Sequence, residues 1–464
     1  MVAKQFRKKL LVGVFSCFLL WSASGCNPFT DPLGIKLNLK QYTLSNGMAV
    51  LLVEDPTTPV VSYQTWFHVG SVDEERGNTG MAHLFEHLLF KGTEKYGPKQ
   101  FFQQLEAAGA EVNAFTTRDY TVFYEDFSPP LLEKVIEMES DRMANLILND
   151  DVLNSERMVV FEERRLRMEN SPEGKMQEAL WQLAFRSHPY QWPVIGYPSD
   201  LLNITVPKLK EFMKTYFQPG NAAVIVAGNF KSADVMKWIR KNYDGIPGKP
   251  KPKRKIPPEY PQTEERRFVI RDAVVSERFA QAYPITSAQE DDSYALDVLA
   301  AILFEGTSSR AYRRLVEERD LVLSISGSAY TPAHPGLFIV TGTLKGGVPS
   351  ALAEDALWQL IQEVQSRGVT QEEIQVAVKQ LTVQLIDGIR SSHGMAPLLG
   401  TVQMIFGSPT RFLDDLKKYH QVTVADVQRV SQKYFNPNRR SVVTVIPQKL
   451  ETKSAARLEK GAKK

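Results

Sequence analysis

A chain of 464 residues is too long for one hydrophobic core and implies roughly two to four domains. Hydrophobic residues make up 43% and charged residues 23%, the composition of an ordinary soluble globular protein. The net charge is +3, but Lys4, Arg7, Lys8 and Lys9 precede residue 26 with no acid among them, which leaves the rest at 3 − 4 = −1. A nearly neutral body offers no electrostatic basis for binding nucleic acid.

The N-terminus reads as an export signal over residues 1–25. A basic start, "KQFRKK", precedes the apolar run "LLVGVFSCFLLW". That run has 12 residues, whereas a bilayer-spanning helix needs about 20, so a cleavable signal is expected rather than an anchor helix. The "SASGC" that follows resembles a bacterial lipobox. The resemblance implies that Cys26 is lipidated and holds an exported lipoprotein on a bacterial membrane; ordinary cleavage near Gly25 is the alternative. Cys17 and Cys26 are the only cysteines, and Cys17 lies inside the signal. The mature chain therefore forms no internal disulfide, and cysteine is excluded as ligand or nucleophile on its body.

Residues 26–39 read as a tether. "KQYTLSNGMAVLLVEDP" is strand-like, with a hairpin signal at Asn46-Gly47. "VVSYQTWFHVGSVDE" alternates like a second strand. Helical patterns follow around 79–91, 98–108, 129–147 and 155–169, with "AFTTRDYTVFYEDF" as one strand among them. Strands and helices in this irregular order suggest α+β layers.

At Asp244 the texture changes. "DGIPGKPKPKRKIPPEYPQTEERR" is rich in proline, glycine and lysine, and residues 244–265 read as an extended, solvated linker. It separates two segments, 40–243 and 266–447, that share an internal repeat. "LLFKGTEKY" at 88–96 resembles "ILFEGTSSR" at 302–310, and "VPKLKEFMKTYFQPGNAAVIVAG" from Val206 resembles "TVADVQRVSQKYFNPNRRSVVTVIP" from Thr423. The registers, Phe90 to Phe304 and Tyr216 to Tyr434, are nearly equal, which predicts two homologous halves. The basic tail, 448–464, reads as disordered.

The run "NTGMAHLFEHLLFKGT" carries His83, Glu86 and His87 within an otherwise apolar stretch. On a helix, with His83 at zero, Glu86 falls near 300° and His87 near 40°, so the three share an arc of about 100°. Thr79 or Asn78 can cap the helix start, and Gly92 sits where a left-handed stop would fall. A glutamate buried beside two histidines is costly without a partner, and a zinc ion is such a partner. Two imidazoles leave room for a third ligand and a water, as in catalytic zinc sites. The His-x-x-Glu-His order is the inverse of the common zinc-protease motif. The helix "SERMVVFEERRLRMEN" offers Glu156 and Glu163, seven apart on one face, with Glu162 about 100° away.

With these motifs, "GAEVNAFTTRDYTVFY", "YFQPGNAAVIVAGNF" and the two-half layout, the chain resembles the inverzincin peptidases of the pitrilysin and mitochondrial-processing-peptidase type. The resemblance implies two halves, each a mixed, largely antiparallel sheet flanked by helices. It implies one zinc ion per chain, held by His83, His87 and Glu163 rather than Glu162, with Glu156 as a supporting carboxylate. Glu86 becomes the general base of peptide-bond hydrolysis. Asn113, Ala114, Phe115 and Thr116 become an edge strand to which a substrate peptide adds its backbone.

The second half departs from self-sufficient members of the family. Their arginine and tyrosine, seven residues apart, fall here at Val316 and Leu323, which donate no hydrogen bonds to developing charge. Arg314 and Arg319 remain as substitutes for the arginine; nothing local replaces the tyrosine. Some bacterial members divide the work between two chains, and this one resembles the zinc-bearing partner, with a homologous subunit supplying the pair. The expected function is a zinc endopeptidase subunit acting on peptides or unfolded segments outside the cytoplasm. The alternatives are a non-catalytic assembly or scaffold subunit of the same fold and a peptide-binding lipoprotein.

Overall fold

The computed structural model describes residues 29–30, 36–98 and 100–448. The signal, Cys26 and the tail from 449 onward lie outside the described residues. A short pair, β1 (Phe29–Thr30) and β2 (Lys36–Leu37), is followed by β3 (Leu39–Thr43), which starts one residue inside the expected tether. β3 and β4 (Ala49–Glu54) form the hairpin signalled by Asn46-Gly47, with Gly47 at φ +90°. β5 (Val61–Phe67) precedes α1 (Met81–Leu88) and α2 (Gln100–Ala107). β6 (Glu111–Thr116), β7 (Thr121–Phe127), α3 (Leu132–Asn145), α4 (Asp150–Arg164), α5 (Pro172–Ala184), α6 (Pro198–Asn203), α7 (Val206–Tyr216), β8 (Ala222–Gly228) and α8 (Ser232–Tyr243) complete the first half.

Two expectations are corrected here. "AFTTRDYTVFYEDF" is not one strand but the β6–β7 hairpin. The Thr117 hydroxyl accepts from the backbone N–H of Asp119 and Tyr120 and so makes the turn, a local side-chain device that apolar patterning does not register. β5 does not alternate between a wet and a dry face, because all seven of its residues are buried. It is an inner strand of the six-stranded sheet β3-β4-β8-β5-β7-β6, covered on both faces.

The second half contains β9 (Arg266–Asp272), β10 (Arg278–Pro284), α9 (Asp292–Phe304), β11 (Val322–Tyr330), β12 (Leu337–Leu344), α10 (Ser350–Arg367), α11 (Gln371–Ile389), α12 (Ser392–Phe406), α13 (Arg411–Gln421), α14 (Val424–Tyr434) and β13 (Ser441–Pro447). Its sheet runs β11-β12-β10-β13-β9. One parallel pair, β13 with β9, sits in an otherwise antiparallel sheet, as the β4–β8 pair does in the first half. The sheets thus share one topology, with β3 an addition to the first. The sequence repeat has the same cause: α7–β8 and α14–β13 are equivalent, each joined by a short turn that starts at a proline, Pro219 or Pro437.

The halves exchange a helix. α12, from the second half, lies on β5 and β8 of the first sheet. Ala396, Leu399 and Val402 pack there with Trp66, Ala223 and Ile225. Reciprocally, α5 lies on β9, β10 and β13, where Met176, Leu180 and Trp181 meet Ala280, Ala282 and Val443. The linker is largely exposed, as expected, and is also tied down at fixed points. Arg254 donates two hydrogen bonds of 2.8 Å to the Asp73 carboxylate, and Glu259 accepts from the backbone N–H of Ser187 and His188. A guanidinium and a carboxylate with matching partners give an extended segment fixed contacts without regular structure.

Candidate metal centre and substrate cleft

α1 is held by its apolar side. Leu84, Phe85 and Leu88 are fully buried, and Phe85 stacks on Phe217 with ring centroids 4.7 Å apart. That leaves His83, Glu86 and His87 on the face toward α4. Neither Thr79 nor Asn78 caps the helix. The N-cap is Gly80, at φ +87°, and the buried carboxylate of Glu74 accepts from the N–H of Gly80 and Ala82, both at 2.8 Å. A carboxylate satisfies two orphan amides and complements the helix dipole better than one hydroxyl, while Thr79 bonds to Asp200 instead. Gly92 is left-handed, at φ +98°, but it is not the helix stop: α1 ends at Leu88 with a right-handed C-cap, Leu89, and Gly92 turns the chain beyond it.

α4 is capped by Asn149, whose side chain accepts from Val152 N–H at 2.9 Å. It is anchored by Arg157, which donates to the carbonyls of Leu201 and Ile204. Helical spacing then delivers Glu156 and Glu163 to α1. One nitrogen from each of His83 and His87 and one Glu163 oxygen lie within 4.8 Å of one another. Glu163 Oε2 is 3.6 Å from His83 Nε2 and 3.2 Å from His87 Nε2. Tetrahedral zinc, with ligand bonds of about 2.0–2.1 Å, requires ligand atoms about 3.3 Å apart. Glu163 Oε2 is a buried atom with no hydrogen-bond partner. An orphaned carboxylate oxygen converging with two imidazoles fits a cation of this kind.

The titration of these groups has the same sense. Burial opposes the charge on His87, but the facing carboxylates of Glu156 and Glu163 outweigh it and raise the group to about 9. Burial and the neighbouring His87 push His83 down to about 4. Burial works against ionised Glu163, yet His87, His83 and Arg167 together lower its pKa. The cluster is short of positive charge and takes up a proton on His87 when no cation supplies it. Glu86 has the opposite balance: burial raises its pKa, and a 2.6 Å hydrogen bond donated by Thr116 Oγ1 offsets only part of this.

Glu156 stands behind His87, 3.7 Å from Nδ1, and pairs with Lys91. Glu162 also borders the cleft but stands outside the cluster, exposed and paired with Arg165. Asn113, Ala114, Phe115 and Thr116 lie on β6, which pairs only with β7 and is the sheet edge. They share with His83, Glu86, His87 and Glu163 a cleft of about 910 Å³. Sequence reasoning passed over Lys91 and Arg167. Both were legible as neighbours four residues from His87 and Glu163, and Arg167 grips Glu163 Oε1 at 2.8 Å. Glu74, Arg118 and Trp181 left no such signal.

The second-half positions lie outside this cleft. Val316 packs into the core of its own half, and Leu323 is 60% exposed on β11. Arg314 is held by Glu363 and Glu318, and Arg319 faces Gln359.

A two-half α+β chain with an inverted His-x-x-Glu-His helix facing a sheet edge is the architecture of one class of metallopeptidase relatives, and sequence comparison agrees. The chain belongs to peptidase family M16: residues 49–197 match "Insulinase (Peptidase family M16)", and residues 203–381 match the "Peptidase M16 inactive domain". It is 28% identical over 460 residues to the zinc protease PqqE of Helicobacter pylori, covering 96% of this chain and 100% of that one. It is 22% identical to the mitochondrial-processing peptidase subunit beta of Blastocladiella emersonii, covering 87% and 88%. Among solved structures, a protease from Helicobacter pylori superposes with a TM-score of 0.84 at 28% identity, over 88% of this chain and 99% of that one. The fold of the periplasmic protease PqqL from Escherichia coli matches with a TM-score of 0.73 at 19% identity, over 92% of this chain and 50% of that one.

Proposed function

We propose that this chain is a zinc-dependent endopeptidase of the cell exterior, binding one zinc ion through His83, His87 and Glu163. The observation that carries the reading is the convergence of those three ligand atoms beside Glu86 and an open sheet edge in one cleft. Zinc at such a site acts as a Lewis acid toward water and a substrate carbonyl. The rest falls to the chain itself. β6 pairs with the substrate backbone and holds it extended along the cleft. Thr116 fixes one oxygen of Glu86, so the other is free to take the proton of the attacking water and return it to the leaving amine. Glu156, with Lys91, orients the His87 ring.

The purified chain should contain about one zinc ion, and Glu86→Gln should keep that zinc while losing hydrolysis of an unstructured peptide by several orders of magnitude. Comparable hydrolysis by Glu86→Gln would remove Glu86 from the reaction. Loss of zinc from Glu162→Gln but not Glu163→Gln would reassign the ligand.

Two finer points belong to the same reading. The signal-like start and the Cys26 motif support export and lipid anchoring, and no described helix is long and apolar enough to cross a membrane. The apolar side chains at Val316 and Leu323, and the engagement of Arg314 and Arg319 by residues of their own half, support a two-chain peptidase in which a homologous subunit supplies the missing donors.

A further inference from the structure

Most charged groups on the wall of the cleft are already neutralised. Glu163 pairs with Arg167, Glu162 with Arg165, and Glu178 with the buried Arg164. Glu86 is bonded to Thr116. Arg118 differs: among the described residues no carboxylate forms an ion pair with it. Its Nε makes one long hydrogen bond, 3.4 Å, to the carbonyl of Tyr190. Its guanidinium lies over the Trp181 ring at 3.5 Å and spends a second donor on the Tyr330 hydroxyl, which leaves the others of its five without a partner among the described residues. Trp181 is itself 2% exposed, lines the cleft, and leaves its Nε1–H without an acceptor. Tyr330 packs edge-on against Trp181, ring centroids 5.5 Å apart.

A guanidinium offers five donors, and an indole N–H is a donor only. Unspent donors of both kinds on one wall, beside a hydroxyl, are complementary to a carboxylate, which Arg grips through paired hydrogen bonds. The stacking on Trp181 fixes the plane of the guanidinium in advance, so little ordering remains to be done on binding. The position along a bound peptide follows from the chain. Arg118 is two residues beyond Thr116, which contacts Glu86. An extended peptide advances about 3.3 Å per residue, so a group reaching Arg118 sits about one to three residues from the bond that Glu86 serves.

We infer that Arg118, with Trp181 and Tyr330, forms a carboxylate-binding subsite that selects peptides bearing an acidic group about one to three residues from the scissile bond. The inference rests on the peptidase reading for the location of that bond. Arg118 is a specificity-determining residue here and takes no part in proton transfer. Two sources supply the same chemistry: an aspartate or glutamate side chain within the peptide, and the peptide's own C-terminal carboxylate.

The test is binding of fluorescein-labelled extended peptides to the zinc-loaded full chain carrying Glu86→Gln, followed by anisotropy. One glutamate is walked along the peptide and compared with glutamine at each position, and each peptide is made with a free or an amidated C-terminus. Glutamate at one position should bind about tenfold tighter than glutamine, the usual scale for one charge-assisted pair. Adding Arg118→Gln should collapse that ratio to near one, and Trp181→Phe, which keeps the ring and removes the N–H, should reduce it. A preference that follows the internal glutamate identifies a side-chain carboxylate; one that follows only the free terminus identifies the terminal carboxylate. A ratio preserved in folded Arg118→Gln, equal losses for both peptides, or no difference at any position overturns the subsite. If Arg118→Gln does not fold, the Trp181→Phe and Tyr330→Phe ratios decide: both unchanged also overturns it. Hydrolysis of the glutamine peptide by the unsubstituted chain with its partner tests the peptidase reading separately. Its absence would defeat that reading while leaving the binding ratio to stand or fall alone.

Discussion

At the scale of single residues, His87 couples the cluster to pH. Despite its burial, Glu156 and Glu163 hold it at about 9, so in the cation-free protein it is protonated at pH 7. A metal takes only neutral imidazole. Zinc uptake at pH 7 should therefore release about one proton per chain, and apparent affinity should rise by about tenfold per pH unit from 7 toward 9, then level off. The sign follows because raising the pH removes the competing proton, while His83, at about 4, is already neutral. Calorimetry in buffers of different ionisation heat counts the protons, and a count near zero would exclude His87 as the proton-bearing ligand. Thr116 makes a different prediction. Its hydrogen bond lowers the Glu86 pKa against burial, so Thr116→Val should retain zinc, cost about tenfold or more in rate, and move the acid limb of the pH–rate profile upward. His83, Glu86 and His87 were readable in the sequence because helical spacing alone puts them on one arc. The cap was not: Glu74 lies outside the helix, and only folding brings its carboxylate to Gly80 and Ala82.

At the scale of elements, the exchanged helix α12 depends on one close approach. A Cβ at Gly400 would overlap the ring of Trp66, and that indole cannot retreat: it is 0% exposed and bonded through Nε1 to Gln64 at 2.9 Å. Glycine inside a helix normally costs about 1 kcal/mol relative to alanine, so Gly400→Ala would stabilise an isolated helix. Here overpacking should win and destabilise the protein by about 1–3 kcal/mol, read as a lower Tm. An unchanged or higher Tm would mean that α12 does not sit tightly on the first sheet. Up to residue 169, apolar spacing indicated the four helices α1 to α4; it named few individual elements beyond that point. It also missed the β6–β7 turn, set by the Thr117 hydroxyl, and the end of α4, where the backbone widens into a π-turn over Arg165–Glu169.

At the scale of the molecule, neither half covers its own sheet. The first half loses the cover of Trp66, Ala223 and Ile225 when α12 is absent, and leaves Met176, Leu180 and Trp181 without the second sheet. Halves divided within the linker and produced separately should expose these faces, bind a hydrophobic dye and aggregate, whereas co-production should restore a soluble pair. Two soluble, dye-negative separate halves would contradict the exchange. The cleft is lined by first-half residues, and the second half meets its wall where Tyr330 packs on Trp181. For the missing donors the expectation is a slow single chain. One oxyanion donor is worth about 10²–10³ in rate, and a homologous subunit carrying the Arg/Tyr pair should restore that factor. High turnover by the single chain, unchanged by the subunit, would show that the chain suffices alone.

The sequence by itself determined the two-half repeat and the His-x-x-Glu-His face, and it raised the expectation of a departure at Val316 and Leu323. Each is a matter of local spacing or of aligned segments, which chain order preserves. Tertiary structure decided what depends on contacts across long separations. It brought Glu163 to both imidazoles, made β6 an edge, tied Arg254 to Asp73, and exchanged α5 and α12 between the sheets. It also left Arg118 on the cleft wall without an ion pair among the described residues, because ion pairing is settled by which side chains packing brings together and is not encoded in the spacing of residues along one chain.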